Sequence, residues 1–544
     1  MKKLLKTAGF DLSASIVVLL VALPLCLGIA LASKAPLFSG IIAGIVGGIV
    51  IGALSGSQLS VSGPAAGLTV IVATAVVKLP AYEAFLLSVV LAGVIQIIFG
   101  FARAGILGDY IPNSVIKGML AAIGLILILK QFPHLVGYDE NFEGDESFAQ
   151  SNDENTFSGI ISALSLFTPA AMIIGGISMA ILILWERPFM KKLGFLKFVP
   201  GPLVVVVTGI LINRYFQYQN NGIALQGKHL VSLPIANDIS SFMGFLTFPD
   251  VQYMNNPVVW STAITLAIVA SLETLLGIEA IDKLDPFKRV TPTNRELKAQ
   301  GVGNIVSGML GGLPLTSVIV RSSANVSSGA KSKLSAIFHG ILLFVCVAFF
   351  PALLNTIPIC ALAAILIFTG YKLAKISLIK DFYLKGWDQF VPFMVTIIAI
   401  LLSDLLTGII IGIIVGLFFM VRSNFRSSVL LVHDENRYLV RLRKDVSFLN
   451  KPIIKRKLER VPENSFVLID ATRADFIDKD VIDAVNEFLF HAHLKNIKVE
   501  IKKSLSKPMH MLFDVPRTVN PDIILVEPTL NTKDENIREV ITGK

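Results

Sequence analysis

The stretch Gly311–Lys333, GGLPLTSVIVRSSANVSSGAKSK, puts a permanent positive charge, Arg321, in the middle of sequence that otherwise reads as membrane-embedded. Its first part, Thr316 to Val320, is β-branched and favours extended backbone, and it gives way to a helix-compatible RSSANVSSG. The stretch Gln58–Val72, QLSVSGPAAGLTVIV, follows the same plan, with Pro64 suited to a first helical turn. Each reads as half a helix. Non-helical backbone at membrane depth persists only where protein buries it or a polar cavity hydrates it, so two such breaks point to a site inside the membrane. They fall in the third span of the first half and the third of the second, as an inverted repeat would place them.

Of the 544 residues, 53% are hydrophobic and only 16% charged, against roughly a quarter charged in a soluble chain. Apolar runs of about twenty residues recur from Ser13 to Arg422, about fourteen in all, each long enough to cross about 30 Å of hydrocarbon as a helix. The first contains Pro24, lacks a small-residue cleavage site and is followed at once by further spans, so it reads as a retained helix rather than a leader. Cys26, Cys346 and Cys360 all lie in apolar runs and read as packing residues, which supports neither a disulfide framework nor a zinc site. The net charge of +9 sits in loops between the runs, so it speaks for membrane topology and against nucleic acid.

An even span count puts both termini on one side, and Lys2, Lys3, Lys6, Arg422 and Arg426 make that side cytoplasmic. Between Tyr138 and Phe167 there is no Lys or Arg, but there are Asp139, Glu140, Glu143, Asp145, Glu146, Asp153 and Glu154, so that loop faces outward. ERPFMKKLGFLK, DKLDPFKRVTPTNRELK and YKLAKISLIKDFYLK are basic and fall on the cytoplasmic side. Near Val432 the composition turns charged and alternating. RYLVRLR, SFVLIDA and IKVEIK read as strands, and KDVIDAVNEFLFHAHLKN as an amphipathic helix with Val481, Ile482, Val485, Phe488, Leu489 and Ala492 on one face. This implies a transmembrane domain over 1–428 and a small cytoplasmic α/β domain over 432–544, whose last residues after Pro528 read as a tail.

If the second half-helix begins near Val320, Arg321 stands at its N-terminal end, where the macrodipole is already positive and free N–H groups are unsatisfied. An anion between the two half-helix N-termini reconciles both charges, accepting bonds from the Pro64–Ala66 and Val320–Ser322 turns while Arg321 supplies charge. The alternative is a structural ion pair with the other intramembrane charge, Glu273 of ASLETLLGIEA. Ser62, Thr316, Ser317 and Ser322 either line the cavity or bond within their own helices and neighbours.

At this point the sequence resembles the sulfate permease (SulP) family of anion transporters. The resemblance rests on DLSASIVVLLVALPLCLGIALA, QLSVSGPAAGLTVIV, ASLETLLG, NRELKAQGVGNIVSGMLGGLP, RSSANVSSGAKSKLS and IPICALAAILIFTGYKL. The soluble part, through VLIDATRADFIDKDVIDAV, is similar to the family's STAS domain (sulfate transporter and anti-sigma factor antagonist). The resemblance implies fourteen spans as two intertwined seven-span inverted repeats: a core of spans 1 to 4 and 8 to 11 moving like an elevator, and a gate of spans 5 to 7 and 12 to 14 held against the partner of a homodimer. It places the anion against Leu25, Gly28 and Ile29 of the first span and against Ala65 and Ala66 of the third; with Ser62, Pro64, Ser317, Val320, Arg321 and Ser322 from the half-helix reading, these are the candidate anion-site residues, and Glu273 is the candidate coupling residue. Many members carry a Gln where this chain has Leu25 and a larger residue at Ala65, so the pocket reads as roomier and less polar. Gly277 and Ile319 supply no side-chain oxygen for a sodium site, which favours a proton on Glu273, and Lys479 stands where anti-sigma antagonists carry a phosphorylatable Ser.

HExxH, GxSxG and P-loop motifs are absent, which speaks against an enzyme and against any cofactor. His134, His229, His339, His433, His491, His493 and His510 form no spaced metal cluster and read as structural. The expected function is secondary active transport of bicarbonate or sulfate across the inner (plasma) membrane, as a symporter with H+ or Na+. The rivals are an organic-anion or nucleobase carrier on the same fold, channel-like anion conduction, and a soluble domain that recruits a cytoplasmic partner.

Overall fold

The computed structural model describes residues 7–141, 148, 155–187, 199–219, 223–233, 235, 243–502, 513 and 523–526. Lys2, Lys3, Lys6, the acids Glu143, Asp145, Glu146, Asp153 and Glu154, most of ERPFMKKLGFLK and the tail after Pro528 lie outside them. The chain divides into two compact units, Met1–Gly416 and Leu417–Lys544.

The first unit is helical. In chain order it contains α1 (Ala8–Ala32), α2 (Leu37–Leu54), strand β1 (Ser62–Pro64), α3 (Ala66–Lys78), α4 (Tyr82–Phe101), α5 (Asn113–Leu135), α6 (Pro169–Trp185) and α7 (Gly201–Tyr218). Then follow α8 (Pro257–Leu284), α9 (Thr293–Leu310), strand β2 (Leu315–Ser317), α10 (Ile319–Ser327), α11 (Leu334–Phe349), α12 (Ile359–Leu373) and α13 (Trp387–Leu402). The last helix, α14 (Leu405–Ser427), runs across the boundary between the units.

Among the described residues seven helices are long and apolar enough to cross a membrane alone, eight if the short helix Thr156–Ser165 and α6, bent by 113°, form one span. The larger count from apolar runs includes elements that fail this test for identifiable reasons. α3 and α10 are half-helices entered from strands, α11 and α13 have 16 residues each, and α9 carries Glu296, Gln300 and Asn304 at four-residue spacing on one buried face.

β1 and β2 pair antiparallel, with Ser62 opposite Ser317, Gly63 opposite Thr316 and Pro64 opposite Leu315. Each strand runs directly into its helix, so α3 and α10 leave this ribbon in opposite directions. The ribbon is buried, and surrounding protein supplies partners to its backbone, as hydrocarbon demands. Asn304 of α9 accepts from Leu315 N (2.6 Å) and donates to Leu315 O (3.2 Å), acting as a side-chain third strand. Val318 N donates to Val61 O (3.0 Å), and Ser322 Oγ accepts from Val61 N (2.8 Å). Gln300 Nε2 donates to Ser62 Oγ (2.6 Å) and to Glu296 Oε1 (3.1 Å), while Glu296 Oε2 accepts from Ser55 Oγ (2.5 Å). α2 carries a π-helical turn, Gly47–Ile51, where it passes the ribbon; a Cβ on Gly47 would lie 2.3 Å from Ser62 O, so only glycine permits this approach.

The second unit contains a five-stranded sheet in the order β3 (Val429–Asp434), β4 (Arg437–Val446), β5 (Phe466–Ile477), β6 (Lys498–Lys502), β7 (Ile523–Val526). β3 and β4 form an antiparallel hairpin and the other pairs are parallel. The helix Lys479–His491 starts at Asp478, whose carboxylate accepts from Asp480 N, and buries Val481, Ile482, Val485 and Leu489. The three strands and the helix expected from the sequence are present; β3, β7 and the helix Lys451–Glu459 are additional.

Candidate functional site

Arg321 is the largest fully buried side chain among the described residues, at 0% exposure, three residues into α10. No side chain caps the N-terminus of α10 or that of the 3-10 turn Ala66–Leu68 opening α3. The first N–H groups of both helices are therefore uncapped by side chains where the chain leaves the ribbon. The guanidinium lies against the ribbon and α2. A Cβ built on Gly63 would sit 2.1 Å from Arg321 Nη1, and one on Gly44 would sit 3.8 Å from it. Arg321 Nη2 donates to Cys26 Sγ of α1 (3.3 Å), while Nε and Nη1 have no hydrogen-bond partner. The cation is thus held by a sulfur and by close packing, and among the described residues no carboxylate pairs with it.

Glu273 is half-buried on α8 beside the start of α3, where a Cβ on Gly67 would lie 2.7 Å from Glu273 Oε1. A small cavity bounded by Gly67, Glu273, Ile319, Met119 and Leu405 separates this corner from α5 and α14.

The remaining expected site residues sort by what already holds them. Leu25 and Ala65 are buried, 4% and 2% exposed, next to the Arg321 contact Cys26 and at the entry of α3. Pro64 closes β1, and Ala66 O accepts from Thr69 Oγ1 (2.6 Å). Ser62 Oγ is taken by Gln300, and Ser317 Oγ pairs with Ser60 Oγ (2.6 Å). Ser322 is engaged at both N and Oγ, donating from N to Val318 O (3.0 Å). Val320 is buried in the first turn of α10. Thr316 is different: it is 0% exposed and its Oγ1 has no partner. Directly cross-strand residues share a face, so Thr316 stands on the same side of the ribbon as Gly63 and Arg321.

The sequence reading passed over Cys26, Glu296 and His339 as site neighbours. The stripe Glu296, Gln300, Asn304 at spacings of four along one helix face was the available signal; a lone Cys or His in an apolar run carries none. It also passed over a cluster at the other end of α5. His134 Nδ1 and His229 Nδ1 each lie 2.6 Å from one oxygen of Asp139, whose side chain is 4% exposed, and Lys228 pairs with Glu140 beside it. Burial opposes ionisation of Asp139, but the two histidine hydrogen bonds outweigh it and hold the carboxyl below its usual range.

A half-open cavity of about 340 Å³ lies between Ser13 and Val17 of α1, Ser327 of α10, Trp185 of α6 and Phe368 and Lys372 of α12. Ser327 is six residues beyond Arg321, about 9 Å along a helix. Among the described residues no group of three His, Cys, Asp or Glu side chains is placed to hold a metal ion.

Residues 9–399 match the model of the sulfate permease family. The chain is 25% identical over 382 residues to a Bacillus subtilis protein named "Putative sulfate transporter YvdB", covering 70% of this chain and 68% of that one. It is 24% identical over 380 residues to the bicarbonate transporter BicA of Picosynechococcus, covering 68% of this chain and 62% of the relative. The solved structure of the murine Slc26a9 anion transporter superposes with a TM-score of 0.62 over 94% of this chain and 86% of that one, at 16% identity, which speaks to the fold alone. The five-stranded unit is compatible with the STAS domain that the resemblance implied.

Proposed function

Since the chain belongs to the sulfate permease family, we propose that it is a secondary carrier of a small inorganic anion, bicarbonate or sulfate. One observation carries this reading: Arg321 is fully enclosed, with two of its nitrogens unpartnered, at the uncapped start of a half-helix. Each unsatisfied buried donor costs about 1–3 kcal/mol, more when charged, and the helix dipole adds to the deficit. An anion at the mouth of α3 and α10 removes both costs. It is held between the starts of the two half-helices, with Leu25, Ala65, Ala66 and Val320 shaping the pocket and Arg321 supplying its charge. Ser62, Pro64, Ser317 and Ser322 hold the ribbon and α10 in place around it.

In this reading Glu273 couples the anion to H+ or Na+, because it stands against Gly67 at the start of α3 and borders the cavity toward α5 and α14. The half-open cavity beside Ser327 and Lys372 is the cytoplasmic access route. Spans α1–α4 and α8–α11 move as an elevator against α5–α7 and α12–α14 in a homodimer. Residues 1–428 form the transporter domain of the inner (plasma) membrane and 432–544 the STAS domain, with both termini cytoplasmic and the STAS surface free for a cytoplasmic partner.

The test is uptake of labelled bicarbonate and labelled sulfate into proteoliposomes, with proton and sodium gradients imposed in turn. Arg321→Ala should abolish uptake with dimers intact. Absence of uptake of either anion by the folded wild-type protein would sink the reading.

A further inference from the structure

His339 of α11 is 0% exposed, and neither ring nitrogen has a hydrogen-bond partner. Its position relative to Arg321 follows from α2, on which α11 packs and which the Arg321 guanidinium also touches. Where α10 leads into α11, Asn325 Nδ2 donates to Ser335 Oγ at 2.9 Å. The charge of Arg321 is the one that acts on the imidazole. From α2 the neighbours are glycines: Gly48 lies against Gly340, and Gly44 lies between Cys26, Leu343 and Arg321. From α1 the titratable group near the guanidinium is Cys26. Thr316 Oγ1, also unpartnered, is on this side of the ribbon. Glu273 is on α8, which packs on the other side, where Gly277 meets Ser317.

A neutral imidazole leaves the site with one fixed positive charge, Arg321. A protonated one gives the site a second cation, with no carboxylate paired to either among the described residues, an arrangement that persists only with two negative charges beside it. We propose that His339 is a specificity-determining residue that takes up one proton when a divalent oxyanion binds and releases it when the anion leaves. This proposal rests on the anion-carrier reading and deepens it: with His339 neutral the site suits a monovalent anion, and with His339 protonated it suits sulfate. The proton enters the imidazole lone pair as sulfate enters the site, and both leave together, so one proton accompanies each sulfate. Linkage is reciprocal, so lowering the pH must tighten sulfate binding by the same factor by which sulfate promotes protonation.

The experiment is equilibrium exchange of labelled sulfate in proteoliposomes without a gradient, from about pH 6 to about pH 8, where histidine titrates. Wild type, His339→Gln and Glu273→Gln are compared. The wild-type apparent affinity should tighten by up to about tenfold per pH unit lowered, the limit for one linked proton. His339→Gln should bind sulfate weakly with no pH slope, and Glu273→Gln should keep the slope. His339→Asn is the second variant should the glutamine variant fail to form dimers. A slope that survives in both His339 variants, a slope lost in Glu273→Gln instead, or a flat wild-type profile overturns the assignment. So does a wild-type protein that carries bicarbonate and never sulfate. A wild-type protein that carries neither anion refutes the carrier reading itself, a distinct result.

Discussion

Gly63→Ala is the sharpest perturbation the site offers, because it displaces a charge without deleting it. A Cβ at position 63 would stand 2.1 Å from Arg321 Nη1 and 2.9 Å from Cζ, where 3.4 Å begins an ordinary contact. The guanidinium must therefore retreat by at least 3.4 − 2.1 = 1.3 Å. The strand cannot yield instead: Gly63 is paired with Thr316, and the preceding Ser62 is held by Gln300. For an anion about 4 Å from the guanidinium and an effective dielectric of about 20, the attraction is about 4 kcal/mol; a further 1.3 Å removes about 1 kcal/mol, or about fivefold in affinity. Misalignment of the order of 1 Å in a positioning group can reduce rate by about a hundredfold, so uptake should fall between these limits. Crowding costs about 1–3 kcal/mol of stability, which leaves a folded protein to assay. Labelled-anion uptake and thermal unfolding would be measured on the same preparations. Gly44→Ala is the comparator, since its Cβ meets the ends of the Cys26 and Leu343 side chains at 2.8 Å and stays 3.8 Å from Arg321. Wild-type uptake by a folded Gly63→Ala protein, or equal losses in the two variants, would refute the placement of Arg321's charge at the anion.

Glu273→Gln should abolish bicarbonate accumulation driven by an imposed cation gradient while exchange at equilibrium persists; accumulation at the wild-type level would remove Glu273 from coupling. Asn304→Ala deletes both bonds to Leu315 and orphans its buried N–H and C=O, at about 1–3 kcal/mol each, so the melting temperature and uptake should fall together. Asp139→Asn should lower thermal stability at neutral pH. Because the folded carboxyl titrates below its ordinary range, its contribution is fully present above about pH 3.9 and lost as pH falls through the lower folded value. A deficit unchanged in strong acid would show that the Asp139 charge is not its source.

The broken segments were legible in the sequence because their composition contradicts a continuous span. Polar Ser and Thr, β-branched runs, Pro64 and the charge at Arg321 all interrupt hydrophobic continuity. The strand-to-helix passage at both sites could be read from that conflict. What could not be read was the partner of each polar atom, because partners come from elsewhere in the chain. The 3.3 Å contact from Arg321 to Cys26 joins residues 295 apart, and Gln300 reaches Ser62 across 238. A structural ion pair between Arg321 and Glu273 was the alternative reading of two intramembrane charges, and only side-chain placement separates the two. The span count illustrates the other limit. Apolar composition registers α3, α11 and α13 as membrane sequence but does not show that each is too short to cross alone.

The pairing of β1 with β2 also shapes how the protein is made. Pro64 faces Leu315, so 315 − 64 = 251 residues separate the synthesis of the two strands. At about 5–20 residues per second, roughly 13–50 s pass after the first strand is synthesised before its partner exists. During that interval the backbone of β1 lies in or near hydrocarbon without its strand partner, a state that lipid does not tolerate unassisted. The nascent amino-terminal half must therefore be sheltered, by its own early helices or by the insertion machinery, until the second half arrives. Lesions at Leu315–Ser317 would strand the first half in that waiting state and expose it to membrane quality control.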